Sequence, residues 1–518
     1  MREVLVIGGG PVGLTLALLL AQQGTRVTVL EKDRAPETLL RAVSLDDECL
    51  RIWQSCGLER EIAPDWDGGP TGAVMCRYQN ARGRDFLQLR QHESDLGYPC
   101  AVAVHQSHLN RTLRRAAERS PLIEMLGGHI VTAISQSDET AVVRGHSATG
   151  EPFALATPWV VGCDGAHSTV RRVLGIDAPG RTLAHPWLVA DVRDEHQGES
   201  VEIRCVPGAA TVTMPLPHGV RRVERMLPPN DPGNWIDDDR TVRDLLVPAW
   251  DGATDAEILH RMVFRFHARI AQRWRDGRVF LAGDAAHTSP PFAGQGMATG
   301  LRDAANLAFK LSGVCHGWLD EAVLSSYERE RRPHQERINA LALRLGSLMM
   351  PRSAAHAATM QGLLRTIRRI GPVRERIELR GPSLRPVYRD GFLIPRGRAG
   401  HYIPQPWVTT GGQRPRRFDA LMGLRMTWVA LGHRETPGRM PGDLLSTGDT
   451  VLVENRDFHD PGRRLQRALG EGSLVLVRPD RMIHTHISAR QARRVQRRSL
   501  SWFSFPTLDA SPSRASSA

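Results

Sequence analysis

Lysine is almost missing from this 518-residue chain: Lys32 and Lys310 are the two examples, and arginine supplies the rest of the 68 basic residues. The formal charge of +12 is therefore arginine charge, spread along the sequence rather than gathered on one stretch. No RNA- or DNA-binding module is readable, so a nucleic-acid partner is not expected. The one locally basic run, Arg490 to Arg498, reads as a solvated helix. Cysteine is sparse and unpatterned. The seven residues Cys49, Cys56, Cys76, Cys100, Cys163, Cys205 and Cys315 show no CxxC and no ligand spacing. That excludes a disulfide scaffold and a structural zinc site, and free thiols in a reducing compartment are expected. Long apolar runs are also lacking, since the most apolar stretch, Val12 to Ala21, is far too short to span a bilayer. The first residues enter a strand at once and leave no room for a signal peptide, so a cytoplasmic protein without membrane contact is expected.

What remains is an ordinary globular composition, 41% apolar and 24% charged, in a chain long enough for two or three domains. Near the start, an apolar strand from Glu3 to Ile7 runs into GGGPVG at Gly8 to Gly13, then an apolar helix, then a second strand, Arg26 to Leu30, ending in Glu31. Strand, glycines, helix, strand and acid form a dinucleotide fingerprint. The glycines let a pyrophosphate approach a helix N-terminus, and the acid at the second strand's tip can hold a ribose. By itself this pattern does not separate FAD from NAD.

The stretch Arg278 to Leu311, RVFLAGDAAHTSPPFAGQGMATGLRDAANLAFKL, repeats the logic. A strand from Val279 to Ala282 breaks at Gly283-Asp284, crosses a Pro/Gly-rich loop and resumes as a helix near Gly300. Asp284 can accept hydrogen bonds from hydroxyls, and the N–H groups around Gly294, Gln295 and Gly296 suit an electron-rich group. A third strand tip, Trp159 to Cys163, ends in Asp164-Gly165. Gln106 sits at a strand-to-helix junction where its amide could address a cofactor or cap the helix, and Arg41 could reach a pyrophosphate or lie on the surface. Residues 68–106 carry short alternating runs expected to form a smaller sheet. Residues 186–267 read as an antiparallel sheet flooring a substrate pocket. Its Arg221, Arg222 and Arg225 are expected on the solvated face, with an anchor for an acidic substrate as the alternative.

Together, GGGPVG at Gly8, RAVSLDDE at Arg41, GCDGAHSTVRR at Gly162 and AGDAAHTSPPFAGQGM at Ala282 resemble the group A flavoprotein aromatic hydroxylases, and within them the 3-(3-hydroxyphenyl)propionate/3-hydroxycinnamate hydroxylases. The resemblance implies an α/β protein with a Rossmann-like FAD-binding domain, an inserted antiparallel-sheet substrate domain and a C-terminal thioredoxin-like domain. Its bounds would be 1–185 with 268–348, 186–267, a helical linker at 349–400, and 401–490, followed by a basic and then disordered tail at 491–518. FAD would be the cofactor and NADH or NADPH a transient electron donor, oxygen being inserted ortho to a phenol hydroxyl in aromatic catabolism. A polycyclic polyketide or another substituted phenol is the alternative substrate.

Carried over by position, Gly8, Gly9, Gly10, Pro11, Val12 and Gly13, with Glu31 and Lys32, would hold the ADP half. Arg41 and Gln106 would line the flavin side, and Asp164 would belong to the motif shared by FAD and the nicotinamide donor. Gly283 and Asp284 would meet the ribityl chain, and Pro291 with Gly294, Gln295 and Gly296 would lie beside the ring. The flavin would carry the chemistry, with no metal and no named catalytic side chain, and His287 would be a structural part of its turn. Phe292-Ala293 and Phe264-Arg265-Phe266 differ from the propionate hydroxylases at positions expected to border the pocket. With no cysteine after Cys315, the last domain has no dithiol chemistry. The resemblance leaves a homodimer open.

Overall fold

The strand Val4–Ile7, VLVI, is buried at every position, as a strand covered on both faces must be. It is central in a six-stranded sheet. In space the order runs Arg275–Asp276, Val279–Leu281, Trp159–Gly162, Val4–Ile7, Val27–Glu31, Ile123–Gly127, and every neighbouring pair but the first is parallel. The computed structural model describes residues 3–34, 43–62, 74–90, 92, 94–195, 200–375, 377–378, 385–432 and 450–488. Arg41, the Arg490 to Arg498 run and the tail beyond lie outside them.

Register sets the functional edge of this sheet. Ile7 stands opposite both Leu30 and Gly162, and Gly162 opposite Leu281, so the carboxyl ends of four strands finish level. Open parallel sheets bind ligands at that edge. The helices Pro11–Gln22 and Gly296–Cys315 start from it and pack together. Small residues make that contact close: a Cβ on Gly300 would lie 2.6 Å from Val12 Cγ2 and 3.1 Å from Gly283 Cα.

A second sheet has seven strands. Its order is Ile258–Phe264, Trp187–Arg193, Val220–Met226, Thr211–Leu216, Val201–Arg204, Val74–Gln79, Asp85–Arg90. Two corrections to the sequence reading follow. The alternating runs near residues 74–90 extend this sheet instead of forming a small one of their own. The junction Val201–Arg204 with Val74–Gln79 is parallel, so the sheet is mixed. Local alternation predicts a strand but carries no information about a partner so far away in sequence.

The arginines are a third departure. Arg222 is buried and makes a bidentate pair with Asp191 at 2.7 and 2.9 Å, and Arg221 Nε reaches Asp194 at 2.6 Å. Arg225 is half-buried and donates to the Leu245 carbonyl at 2.8 Å. The sheet has no solvated face at this strand. One side packs Trp187 and Met226 toward the cofactor-binding part, and the other packs Leu188, Ala190 and Val223 against the helix Asp239–Leu246.

Near the C-terminus the sheet order is Thr450–Val453, Thr427–Ala430, Ser473–Val477, Ile483–Ser488, with the first pair parallel and the others antiparallel. Strand alternation splits its side chains: Trp428, Ala430, Leu474 and Leu476 join the main core, while Val429, Val475 and Val477 pack against Phe418 and Leu465. None of the seven cysteines is in a disulfide. Among the described residues no helix is long and apolar enough to cross a membrane.

Candidate functional site

The first glycine turn is shaped by close contacts. Gly8 has φ +109°, and a Cβ there would lie 2.4 Å from the Cys163 carbonyl oxygen; one on Gly13 would lie 2.0 Å from the Gly8 carbonyl oxygen. Gly10 differs, since a Cβ there meets nothing within 4 Å. It precedes a helix that has Pro11 in its first turn, and among the described residues no side chain caps the first N–H groups of that helix. Glu31 bounds this opening. Its Oε2 accepts the Gly9 N–H at 2.6 Å, and its Oε1 accepts the Asp33 N–H at 3.0 Å. Lys32 points outward, with its side chain 74% exposed.

Next along the edge, Asp164 caps the helix Thr169–Val173, accepting from Ser168 Oγ at 2.5 Å and from the Thr169 and Val170 N–H groups at 2.7 and 3.1 Å. The Ala282 N–H donates to the Gly162 carbonyl at 2.9 Å, which brings the Asp164 and Asp284 tips side by side. Asp284 is half-buried in the turn Gly283–Ala285. Asp303 braces that turn from below: its Oδ2 accepts the Gly283 N–H at 3.1 Å and His287 Nε2 at 2.6 Å, and its Oδ1 accepts Arg331 Nε at 2.8 Å. Burial alone would raise the Asp303 pKa, but His287 and Arg331 outweigh it and hold the carboxyl below its usual range. His287 also packs on Trp274, at 5.0 Å between ring centroids.

The Pro-rich loop closes the edge. Pro291 and Gly294 are exposed, Gly294 has φ +63°, and a Cβ on Gly294 or Gly296 would meet nothing within 4 Å. Gln295 between them is buried. Its Oε1 accepts Arg302 Nη1 at 2.8 Å, and Arg302 reaches Asp46 and Glu48 at 2.5 Å each. The amide of Gln295 is thus turned into the protein, and the backbone on either side borders open space. Burial pushes Glu48 up to about 7, with Arg302 opposing and Asp46 and Asp47 reinforcing. Sequence reading missed Arg302 as a site residue; its signal is the seven-residue step from Gln295, two helical turns along one face. Gln106 opens the helix Gln106–Arg119, buried, directly after His105.

The wall facing this loop is aromatic. Trp187, Phe266 and Phe292 meet pairwise at 5.9 to 6.1 Å between ring centroids, joining the seven-stranded sheet to the loop. A Cβ on Gly346 would lie 2.6 Å from Phe292 Cδ2, so the helix Ser326–Met349 seats that ring. Among the described residues the buried indole N–H of Trp187 has no hydrogen-bond partner.

Two helix N-termini without side-chain caps, open space at Gly10, Gly294 and Gly296, and a carboxylate at the second strand's tip suit an extended anionic dinucleotide, with a ring system lying at the Pro-rich loop. Residues 1–342 match the family described as "FAD binding domain". A 3-(3-hydroxy-phenyl)propionate/3-hydroxycinnamic acid hydroxylase of Klebsiella pneumoniae is 30% identical over 93% of this chain and 91% of its own. A second, from Burkholderia vietnamiensis, is 34% identical over 94% of each. Among solved structures, the OxyS anhydrotetracycline hydroxylase of Streptomyces rimosus superposes with a TM-score of 0.76 at 24% identity, covering 98% of this chain and all of that one, a likeness of fold. The chain belongs to the FAD-dependent aromatic hydroxylases, flavoprotein monooxygenases whose cofactor is FAD.

Proposed function

We propose that this enzyme uses NADH or NADPH and oxygen to hydroxylate a phenol ortho to its hydroxyl, with 3-(3-hydroxyphenyl)propionate or 3-hydroxycinnamate giving the 2,3-dihydroxy product. The names of these relatives support the substrate, and one observation carries the chemistry: the Trp187–Phe266–Phe292 cluster sets apolar ring surface beside the Pro-rich loop. Bound FAD supplies electron transfer and oxygen activation. The protein positions and excludes. The aromatic wall orients the ring and keeps water out, Glu31 and the glycine turn hold the ADP half, and Asp284 holds the ribityl chain. The N-terminus of Gly296–Cys315 stabilises negative charge brought to it.

On the same reading, 401–490 is a thioredoxin-like domain, supported by a sheet order in which the first strand pairs parallel with the second and antiparallel with the third. A second substrate reading, an uncharged polycyclic phenol, is favoured by Arg222: this guanidinium on the cofactor-facing side of the sheet is committed to Asp191 and does not stand ready for a carboxylate. The test is nicotinamide oxidation by the FAD-loaded enzyme with and without 3-(3-hydroxyphenyl)propionate, with the product identified by mass. Stimulation and a gain of one oxygen support the first reading. A flavin-loaded enzyme indifferent to this phenol yet stimulated by polycyclic ones moves the assignment to the second.

A further inference from the structure

The cofactor-facing side of the seven-stranded sheet is laid out in rows by its register. Trp187 and Met226 form one row, Val189, Glu224 and Val212 the next, and Asp191 with Arg222 the third. The first row touches the Pro-rich loop through Trp187 and Phe292. The third lies close enough to His105, the neighbour of Gln106, for Asp191 to act on its charge. Glu224 therefore stands between the two stretches assigned to the flavin side. It is half-buried between two valines, and among the described residues its carboxylate has no hydrogen-bond partner. Nearby acids are treated differently: Asp191 is locked to Arg222 and Asp194 to Arg221. A carboxylate kept among apolar side chains without a partner destabilises the fold, which marks it as a group completed by a ligand.

We propose that Glu224 is the catalytic base of this enzyme, its carboxylate accepting the hydrogen bond and then the proton of the substrate's phenolic hydroxyl. The inference rests on the ortho-hydroxylation reading above. In the step, the phenol O–H bond breaks and its proton moves to a Glu224 oxygen. The freed electron pair forms a ketone at that carbon, while the ring's electrons form the new C–O bond at the ortho carbon to one of the two oxygen atoms that dioxygen supplies; the O–O bond breaks, and the second oxygen atom leaves as water with the two electrons of the nicotinamide donor and protons from solvent. The ortho C–H then loses its proton to solvent, the ring regains aromaticity, and Glu224 returns its proton to the ketone oxygen. Burial raises the proton affinity of Glu224, Arg222 opposing and Asp191 reinforcing, which makes it a stronger base than a solvated carboxylate. The other titratable groups on this side are His260, on the adjacent strand beside Asp191, His105 at the start of the facing helix with His218 against its ring, and, on the strands beyond Val212, Tyr78, Cys76 and Cys205.

The experiment compares the FAD-loaded wild type with Glu224→Gln and Glu224→Asp, using 4-nitrophenol as a binding probe whose absorbance reports its ionisation. The wild type is expected to keep the bound nitrophenol protonated to a pH about one unit or more above that in Glu224→Gln, because a second negative charge beside the carboxylate is disfavoured. Product formation from a stimulating phenol should fall about a hundredfold in Glu224→Gln, with the acid limb of its pH profile lost, and recover in part in Glu224→Asp. Flavin content should be unchanged and the thermal midpoint of Glu224→Gln equal to or above that of the wild type, since the carboxylate braces nothing and its charge is poorly solvated. Unaltered nitrophenol ionisation and wild-type product formation in Glu224→Gln would overturn the proposal. Should that variant fail to fold, a Glu224→Asp protein identical to wild type in both readouts overturns it equally. If nitrophenol ionisation depends on Glu224 but no phenol gains oxygen, the base assignment stands and the ortho-hydroxylation reading falls; if the wild type binds no phenol, both fall.

Discussion

At the scale of single residues, the glycines of the first turn divide into two kinds with opposite expected phenotypes. Gly13 is glycine because the chain passes itself there, so Gly13→Ala must displace the Gly8 carbonyl that sits 2.0 Å from the added carbon. We expect a loss of about 1–3 kcal/mol in stability, the usual range for overpacking, visible as a lower melting temperature even without flavin. Gly10 has φ −77° and open space around it, so Gly10→Ala should leave the apoprotein's melting temperature within a few degrees of wild type. It should instead weaken FAD retention about tenfold, roughly 1.4 kcal/mol, read by flavin absorbance after dialysis. If both variants lost stability alike, Gly10 would have a packing role that its surroundings do not show. Asp303 is a third kind of residue. Asp303→Ala leaves Arg331 buried without its carboxylate and frees the Gly283 N–H, and removing one member of such a pair costs about 3–5 kcal/mol. Soluble flavoprotein should be lost, whereas Asp284→Asn should fold and lose only flavin.

At the scale of elements, the helix Gly296–Cys315 links the Pro-rich loop to the rest of the chain. Its N-terminal Gln295 is held by Arg302, and Arg302 is held by Asp46 and Glu48 at the start of the helix Asp47–Gln54. Arg302→Lys keeps one charge but loses the planar fork that serves three acceptors at once. Its expected effect is faster flavin release and a melting temperature several degrees lower, with Gln295→Ala reproducing the first effect and little of the second. A variant with wild-type flavin release would break the link between this helix and the loop. Arg302 also shows what sequence reading reaches. The three strand-tip turns were legible because their signals are local: apolar runs, a glycine and an acid at the tip, then helical spacing. The partners of Arg302, near residue 46, and of Arg222, at Asp191, were not, because a sequence displays a charge without showing what neutralises it. The same limit hid the pairing of Val201–Arg204 with Val74–Gln79, and left Glu224 indistinguishable from the arginines flanking it.

At the scale of the whole molecule, the C-terminal sheet is part of the main core. Trp428 and Leu474 pack in the same cluster as Leu307 and Phe309, and the charges follow the same path. Arg478 makes a bidentate pair with Glu330 at 2.9 Å to each oxygen, while Lys310 reaches the same carboxylate at 2.8 Å. Those two cations overcome burial and hold Glu330 far below the usual carboxylate range. A chain cut after residue 400 should therefore be insoluble or free of flavin, because Lys310 and Glu330 would lose Arg478 along with the apolar cover. The seam is also acid-sensitive. His484 is buried against Phe392, at 4.7 Å between ring centroids, with Nδ1 3.1 Å from the Phe392 carbonyl, and burial with the nearby Arg478 lowers its pKa to about 4. Unfolded histidine takes a proton near pH 6.5, so between roughly pH 6.5 and 4 the unfolded chain binds more protons and stability falls on acidification, by about 3 kcal/mol at most from this residue. Buried His334 is shifted in the same direction, so the wild-type melting temperature should drop steeply below pH 6.5. His484→Gln keeps a donor for the Phe392 carbonyl and removes the titration. Its melting temperature should fall less steeply between pH 6.5 and 4.5 than the wild type's, and an identical slope would assign the acid sensitivity to His334 and the cofactor-binding part instead.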